Sequence, residues 1–337
     1  MPTRTTTRTG GARFRSQKRT TRRRRWCAAP PRGCLSRQSP SRVANLKRKS
    51  NPVTRRTPRG EIARRVIFLD FDGTYAHHGV VPRAHAEAVA AAQSRGHVVV
   101  LCTGRPMSLI PEDVIASGLD GFVATAGAYV ELGSETLLDV RFSDQLATQA
   151  IELLDASGAL YILETPSATF TRRAAADAMT QAAQQSSDPA VAQGLRSLVD
   201  AFTVQEDLSM IRPSKIMSFE GPVPVQEIAT LLGPEVATVP SSLRDLGQGG
   251  GGEIFLASVN KATGMAPAIA HLGLTREDVV ACGDGPNDLE MLEFAGTSVA
   301  IEGSAPELLA ISDLVVAGPE DAGLVEAFVA LGLIERS

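Results

Sequence analysis

Four β-prone apolar residues, Val66-Ile67-Phe68-Leu69, run without a polar interruption and end directly on Asp70-Phe71-Asp72-Gly73-Thr74. A strand that alternates apolar and polar residues has one wet face; a strand apolar at every position is covered on both. This run therefore predicts a parallel sheet with helices on both sides, and ligands of such sheets bind beyond the carboxyl ends of the strands. The rest of 61–337 continues the alternation. Helix-like Arg83–Arg95 is closed by Gly96 and followed by a second buried strand, Val98–Leu101; a helix over Pro106–Ser117 and a third strand within Gly121–Val130 come next. From about Ser143 the pattern changes. Amphipathic helices at Leu146–Leu154, Arg172–Gln185 and Val225–Leu232 alternate with strands at Leu160–Leu163, Lys215–Phe219 and Val236–Val239. A nearly all-glycine stretch, Gly247–Gly252, precedes core-like segments at Glu253–Leu256, Val279–Cys282 and Thr297–Ile301. One α/β domain is thus expected to be interrupted by a second, with 61–142 and 253–337 forming the first and 143–252 the insertion.

Charge separates a further segment. Residues 1–60 hold 19 Arg and Lys and no acid, whereas the remaining residues hold 15 basic and all 37 acidic side chains. The whole-chain charge of −3 describes neither part. Residues 1–60 have few, aperiodic apolar residues and are expected to be a disordered basic arm. Four readings of it stay open: a solvated tail, a polyanion- or nucleic-acid-binding arm, a transit peptide, and translated sequence upstream of the true start, although no Met occurs between Met1 and Met107. No apolar run approaches the ~20 residues of a membrane span, and four Cys are too few for a disulfide scaffold. A soluble, cytoplasmic setting is the expectation; oligomeric state is left open.

Four motifs lie at the ends of predicted strands or starts of helices. In the first, Asp70 can act as a nucleophile towards phosphorus, and Asp72, two residues on, can give a proton to the leaving oxygen and later take one from water. An Asp-Gly turn alone would explain the same residues. In the second, Thr103-Gly104-Arg105, a hydroxyl and a backbone N–H at a helix start suit an anion, unless Thr103 only caps the helix. The third is Lys261, one of two lysines in 61–337 against thirteen arginines. A lysine kept where arginine is preferred suggests a role for a compact ammonium; Lys215, followed by strand-like residues, is read as structural. The fourth, Gly283-Asp284-Gly285-Pro286-Asn287-Asp288, puts two more acids at a strand end, one of which helix capping could explain. Together Asp70, Asp72, Asp284 and Asp288 would gather about four negative charges, which calls for a hard cation. Oxygen-only ligands point to Mg²⁺ rather than zinc.

Asp-x-Asp-Gly-Thr, Thr-Gly-Arg, Lys and Gly-Asp-Gly-x-Asn-Asp, in this order, resemble the haloacid dehalogenase (HAD) superfamily, and the long insertion between the second and third motifs resembles its Cof-type subfamily, which carries a large α/β cap there. The resemblance implies an α/β, Rossmann-like parallel-sheet core with the Asp70 strand between those of Thr103 and Asp284. It implies an aspartyl-phosphate on Asp70, with Asp72 as general acid/base. Thr103, Gly104, Lys261 and Asn287 would bind phosphate. Mg²⁺ would be held by Asp70, the Asp72 backbone carbonyl and Asp284, with Asp288 and Asn287 in support. One departure stands out: Ala126-Gly127-Ala128 occupies the place where Cof-type proteins commonly show Asn-Gly-Ala. His77 and His78 fit a solvated loop. The expected function is a Mg²⁺-dependent phosphatase on a small phosphomonoester, a sugar phosphate or cofactor phosphate. The alternatives are a phosphomutase on the same scaffold and a nucleic-acid-binding protein acting through the arm.

Overall fold

The chain is described by a computed structural model over residues 63–240 and 251–336. The basic segment 1–60 and residues 247–250 of the glycine run lie outside the described residues. Two sheets organise what is described. The first contains β1 (Val66–Leu69), β2 (Val98–Cys102), β3 (Gly121–Ala124), β4 (Tyr129–Leu132) and β5 (Glu135–Asp139). The second contains β6 (Leu160–Glu164), β7 (Thr169–Thr171), β8 (Phe202–Val204), β9 (Lys215–Glu220), β10 (Val236–Pro240) and β11 (Gly252–Leu256). The chain then returns to the first sheet with β12 (Val279–Gly283), β13 (Thr297–Ile301) and β14 (Leu314–Val316).

In the core sheet the order is β14-β13-β12-β1-β2-β3-β4-β5, parallel from β14 to β3. β1 lies between β2 and β12, and Leu69 stands level with Leu101 and Cys282. The carboxyl ends carrying Asp70, Thr103 and Asp284 are therefore adjacent. All four β1 side chains are fully buried. Ile67 and Leu69 face a cluster with Val89 and Phe328, whereas Val66 and Phe68 face Met265 and Met291. Each such burial contributes roughly 1.5–3 kcal/mol, which holds the strand in register beneath the acidic loop. His85 fastens that loop from behind. Its Nε2 accepts from the Leu324 amide at 3.2 Å, so Nδ1 donates to the Tyr75 carbonyl at 3.0 Å; burial lowers its pKa and keeps the ring neutral.

The cap sheet runs β10-β11-β9-β6-β7-β8, antiparallel except for the β7–β8 pair. Tyr161, Leu163, Ile216 and Ile254 pack with the helices Asp144–Ser157 and Val225–Leu232, and Ile162, Met217 and Phe219 with the helix Arg173–Gln185.

Two sequence expectations are corrected. The helix over Pro106–Ser117 is broken into a 3₁₀ turn, Met107–Leu109, and a short helix, Glu112–Ile115. Pro111 holds Ile110 extended and cannot donate to a continuing ladder. The third strand expected within Gly121–Val130 is β3, and a second one follows it. β3 stops at Ala124, Thr125 and Ala126 take left-handed conformations (φ 50° and 54°), and β4 returns antiparallel. Glu253–Leu256, expected in the resumed core, pairs instead with β10 and β9 in the cap sheet. Its apolar residues look like any buried strand; only the partner identifies the sheet. The strands Thr169–Thr171 and Phe202–Val204 and the helix Pro189–Asp200 are additional to the expected elements; the helix does carry start signals, Pro189 in its first turn and Asp188 accepting from the Val191 amide.

Candidate active site

Asp70 leaves β1 with its amide donating to the Cys282 carbonyl at 2.9 Å, so the loop begins tied to the neighbouring strand. The chain turns at once: the Tyr75 amide donates to the Asp70 carbonyl and the Ala76 amide to that of Phe71. Gly73 makes this turn at φ +88°, and a Cβ there would lie 2.4 Å from the Asp284 carboxylate. Glycine therefore supplies both a conformation and a space. Thr74 uses the space from the other side, donating to Asp284 at 2.8 Å.

Lys261 opens the helix Lys261–His271, whose N-cap Asn260 accepts from the Thr263 amide at 2.8 Å. The helix comes close because Gly264 meets Gly127; a Cβ on Gly127 would be 2.1 Å from the Asn260 carbonyl. The buried Lys261 ammonium lies 2.5 Å from both Asp70 and Asp288. Asp288 is itself fixed, its second oxygen accepting from the Asp284 and Gly285 amides at 3.0 and 2.9 Å. It does not cap the following helix with its side chain.

Burial and the Asp288 charge push the Asp70 pKa well up, with Lys261 acting against them. Burial raises that of Asp284, opposed by the Thr74 hydrogen bond. Burial would lower that of Lys261, but Asp288 and Asp70 outweigh it and the net shift is upward, so the ammonium stays charged. Asp70, Asp284 and Asp288 bring one oxygen each within 4.8 Å of one another. The donor set is all oxygen, and the missing Cβ of Gly73 leaves Asp284 its place, so these residues fit a hard divalent cation.

The Asp72 carboxylate stands apart from that cluster. Arg105 donates to both of its oxygens at 2.7 Å, with the guanidinium 5.0 Å from the centre of the Phe71 ring. Thr103 is buried, and its hydroxyl accepts from the Arg105 amide at 3.1 Å. Asn287 is exposed, with its amide near Gly104 across the site. His77 sits in the loop beside Glu320 at 3.4 Å, away from these groups. Sequence reasoning quoted Arg105 and Thr74 inside their motifs without giving either a task. Lys215, read as structural, pairs within the cap with Glu164 and Glu253, and it also reaches across from β9 to donate to the Gly104 carbonyl at 3.0 Å. The scarcity of lysine that singled out Lys261 applies to Lys215 equally.

A profile of the haloacid dehalogenase-like hydrolases matches residues 67–328. The chain belongs to this family. As a haloacid dehalogenase-like hydrolase of the phosphatase type, it is 26% identical over 275 residues to YkrA of Bacillus subtilis, which is provisionally named a phosphatase; the match covers 80% of this chain and 99% of YkrA. A shorter stretch of 108 residues is 37% identical to the phosphoglycolate phosphatase of Methanothermobacter thermautotrophicus, covering 31% of this chain and 49% of that one. Among solved structures, the phosphatase BT1666 from Bacteroides thetaiotaomicron superposes with a TM-score of 0.66 at 22% identity, covering 82% of this chain and 98% of its own. The HAD subclass IIB sugar phosphatase BT4131 gives 0.62 at 20% identity, covering 80% and 100%. These two likenesses establish the shared fold, capped core included. Among the described residues no helix is long and apolar enough to cross a membrane.

Proposed function

We propose that this hydrolase is a Mg²⁺-dependent phosphomonoesterase that releases phosphate from a small metabolite, a sugar phosphate or a cofactor phosphate, through an aspartyl-phosphate on Asp70. The observation that carries the reading is the setting of Asp70: a buried carboxylate at a strand end, touched by a buried ammonium and flanked by two further acids that leave room for a cation. The sugar-phosphatase name of one structural neighbour supports the substrate class. Asp70, Asp284 and, in support, Asp288 would hold Mg²⁺, which when bound would offset the phosphate charge and orient it.

The protein groups divide the remaining work. Asp70 attacks phosphorus while the bond to the ester oxygen breaks. Asp72 gives that oxygen a proton. Asp72 then takes a proton from the water that attacks the aspartyl-phosphate, returning the Asp70 carboxylate and releasing inorganic phosphate. Lys261, Thr103 and the Gly104 amide offer positive charge and donors to the phosphoryl oxygens, with Asn287 at the rim. The test is phosphate release from a panel of phosphate esters with and without EDTA. Metal-dependent release by the wild type and none by Asp70→Asn is expected; full release in EDTA, or an active Asp70→Asn, removes the mechanism. An isomerised sugar phosphate in place of free phosphate would mark a mutase instead.

A further inference from the structure

The cap sheet presents a polar row to the catalytic loops. In the antiparallel ladder of β6 and β9, Glu164 stands opposite Lys215; β7 puts Thr169 opposite Glu164, and β11 puts Glu253 opposite Met217, diagonal to Lys215 on the same face. Two members of this row touch the core. Thr169 Oγ1 lies 3.0 Å from Ser108 Oγ, and Lys215 Nζ donates to the Gly104 carbonyl at 3.0 Å.

Lys215 is 3% exposed. Its other two neighbours are Glu164 at 3.1 Å and Glu253 at 3.2 Å. An ammonium has three N–H groups, and here it lies against three oxygens: it donates to the Gly104 carbonyl and is ion-paired with the two carboxylates, of which Glu164 has no hydrogen bond on either oxygen. The cap supplies two of them; the third comes from the core. Holding the cap sheet together would require only the two carboxylates. The third contact falls on the middle residue of Thr103-Gly104-Arg105, whose first hydroxyl is turned towards its own backbone at the site and whose last side chain grips Asp72.

We propose that Lys215 is a positioning residue for phosphoryl transfer: by binding the Gly104 carbonyl it fixes the Thr103–Arg105 turn when the cap is seated, and so sets Arg105, and through it Asp72, against the leaving group. The inference rests on the phosphomonoesterase reading above. It makes the cap a part of the proton-transfer geometry, since the closing contact falls on Gly104 and the side chain that grips Asp72 belongs to Arg105 of the same tripeptide.

The test removes the ammonium without stranding a buried carboxylate. Lys215→Met alone leaves Glu164 without its counter-charge, so the informative variant is Lys215→Met with Glu164→Gln, its folding checked by circular dichroism. For this variant kcat on the best ester is expected to fall about tenfold or more with KM changed less than threefold. Hydrogen exchange should show lost protection in peptides covering 103–109, with the helix Asp144–Ser157 unchanged. A purely structural role would move the melting temperature and leave that exchange and the split between kcat and KM alone. A folded double variant with wild-type kcat and wild-type exchange at 103–109 overturns the inference while the wild type remains an active phosphatase. A wild type inactive on every ester, with a variant that still loses protection at 103–109, overturns the functional reading and upholds the Lys215–Gly104 coupling.

Discussion

Arg105 holds both carboxylate oxygens of Asp72 at 2.7 Å. Each oxygen keeps a second lone pair, so this grip orients the carboxylate without using up its capacity to accept. Under the proposed reaction, Arg105 would aim the Asp72 carboxyl at the leaving oxygen. Replacing Asp72 by Asn should lower kcat by about 10²–10⁴-fold, the usual range for a positioned acid/base, and most for esters with poor leaving groups. Arg105→Lys should lose the two-point grip and slow the same esters by about tenfold, because a single ammonium cannot match a carboxylate fork. A series of aryl and alkyl phosphates measures both; equal losses across leaving groups would remove Asp72 from proton transfer.

Gly73→Ala should weaken cation binding rather than unfold the protein. Its Cβ would enter the space of the Asp284 carboxylate, at 2.4 Å, and its φ of +88° disfavours a side chain. The Mg²⁺ concentration for half-maximal activity should rise about tenfold or more, in line with losses on displacing a ligand's supporting shell. A metal titration of activity, with a parallel titration of Mg²⁺ binding by calorimetry, reads this directly. An unchanged midpoint would mean that Asp284 is not a ligand.

Glu164 should imprint itself on the pH dependence of stability. Burial pushes its pKa from 4.5 up to about 7, with Lys215 opposing and Glu253 reinforcing. A carboxyl that holds its proton more tightly when folded favours the folded state below its unfolded pKa, and that contribution is lost as pH rises through the folded one. Between about pH 4.5 and 7 it should therefore remove up to about 3 kcal/mol. Lys215 stays charged throughout this window. Urea unfolding of Glu164→Gln should show a flatter profile there, and the variant should gain on the wild type with rising pH. Parallel profiles would show that Glu164 titrates alike in both states.

Ala126 occupies a conformation that suits asparagine or glycine, at φ 54° and ψ 27°. An L-residue with a Cβ costs roughly 1–2 kcal/mol there. Ala126→Gly, offset by the greater freedom of glycine in the unfolded chain, should stabilise by about 0.5–1 kcal/mol, and Ala126→Asn similarly. In a domain pair of this size that is a rise in Tm of about 1–4 °C. A lower Tm in both variants would mean that the Ala126 methyl packs well enough to outweigh its backbone.

The unbroken apolar runs were enough to place Asp70, Thr103 and Asp284 at the ends of buried strands, because a strand buried on both faces, and the edge at which it ends, are local properties of the chain; that these strands are neighbours was implied only by the family resemblance. The same local reading located most cap helices, whose stripes repeat every three or four residues. It failed where a residue's partner lies far along the chain. Glu253–Leu256 carries no mark of which sheet it joins, and the break at Pro111 was visible as a residue but passed over as a boundary. Nor could spacing separate the Asp72 carboxylate from the three other acids; only the family resemblance gave it a different place, with the Asp72 backbone carbonyl at the cation instead. Its partner, Arg105, is 33 residues away and meets it only because β1 and β2 are neighbours. Lys215 is the strongest case: 111 residues separate it from Gly104, and its ammonium meets that carbonyl only once β6, β9 and β11 have formed one face and that face has met the core. The sequence by itself determined which chemistry-bearing residues end which elements; the tertiary structure alone decided which of them stand within reach of one another, because those contacts depend on ångström distances between segments that the chain order leaves far apart.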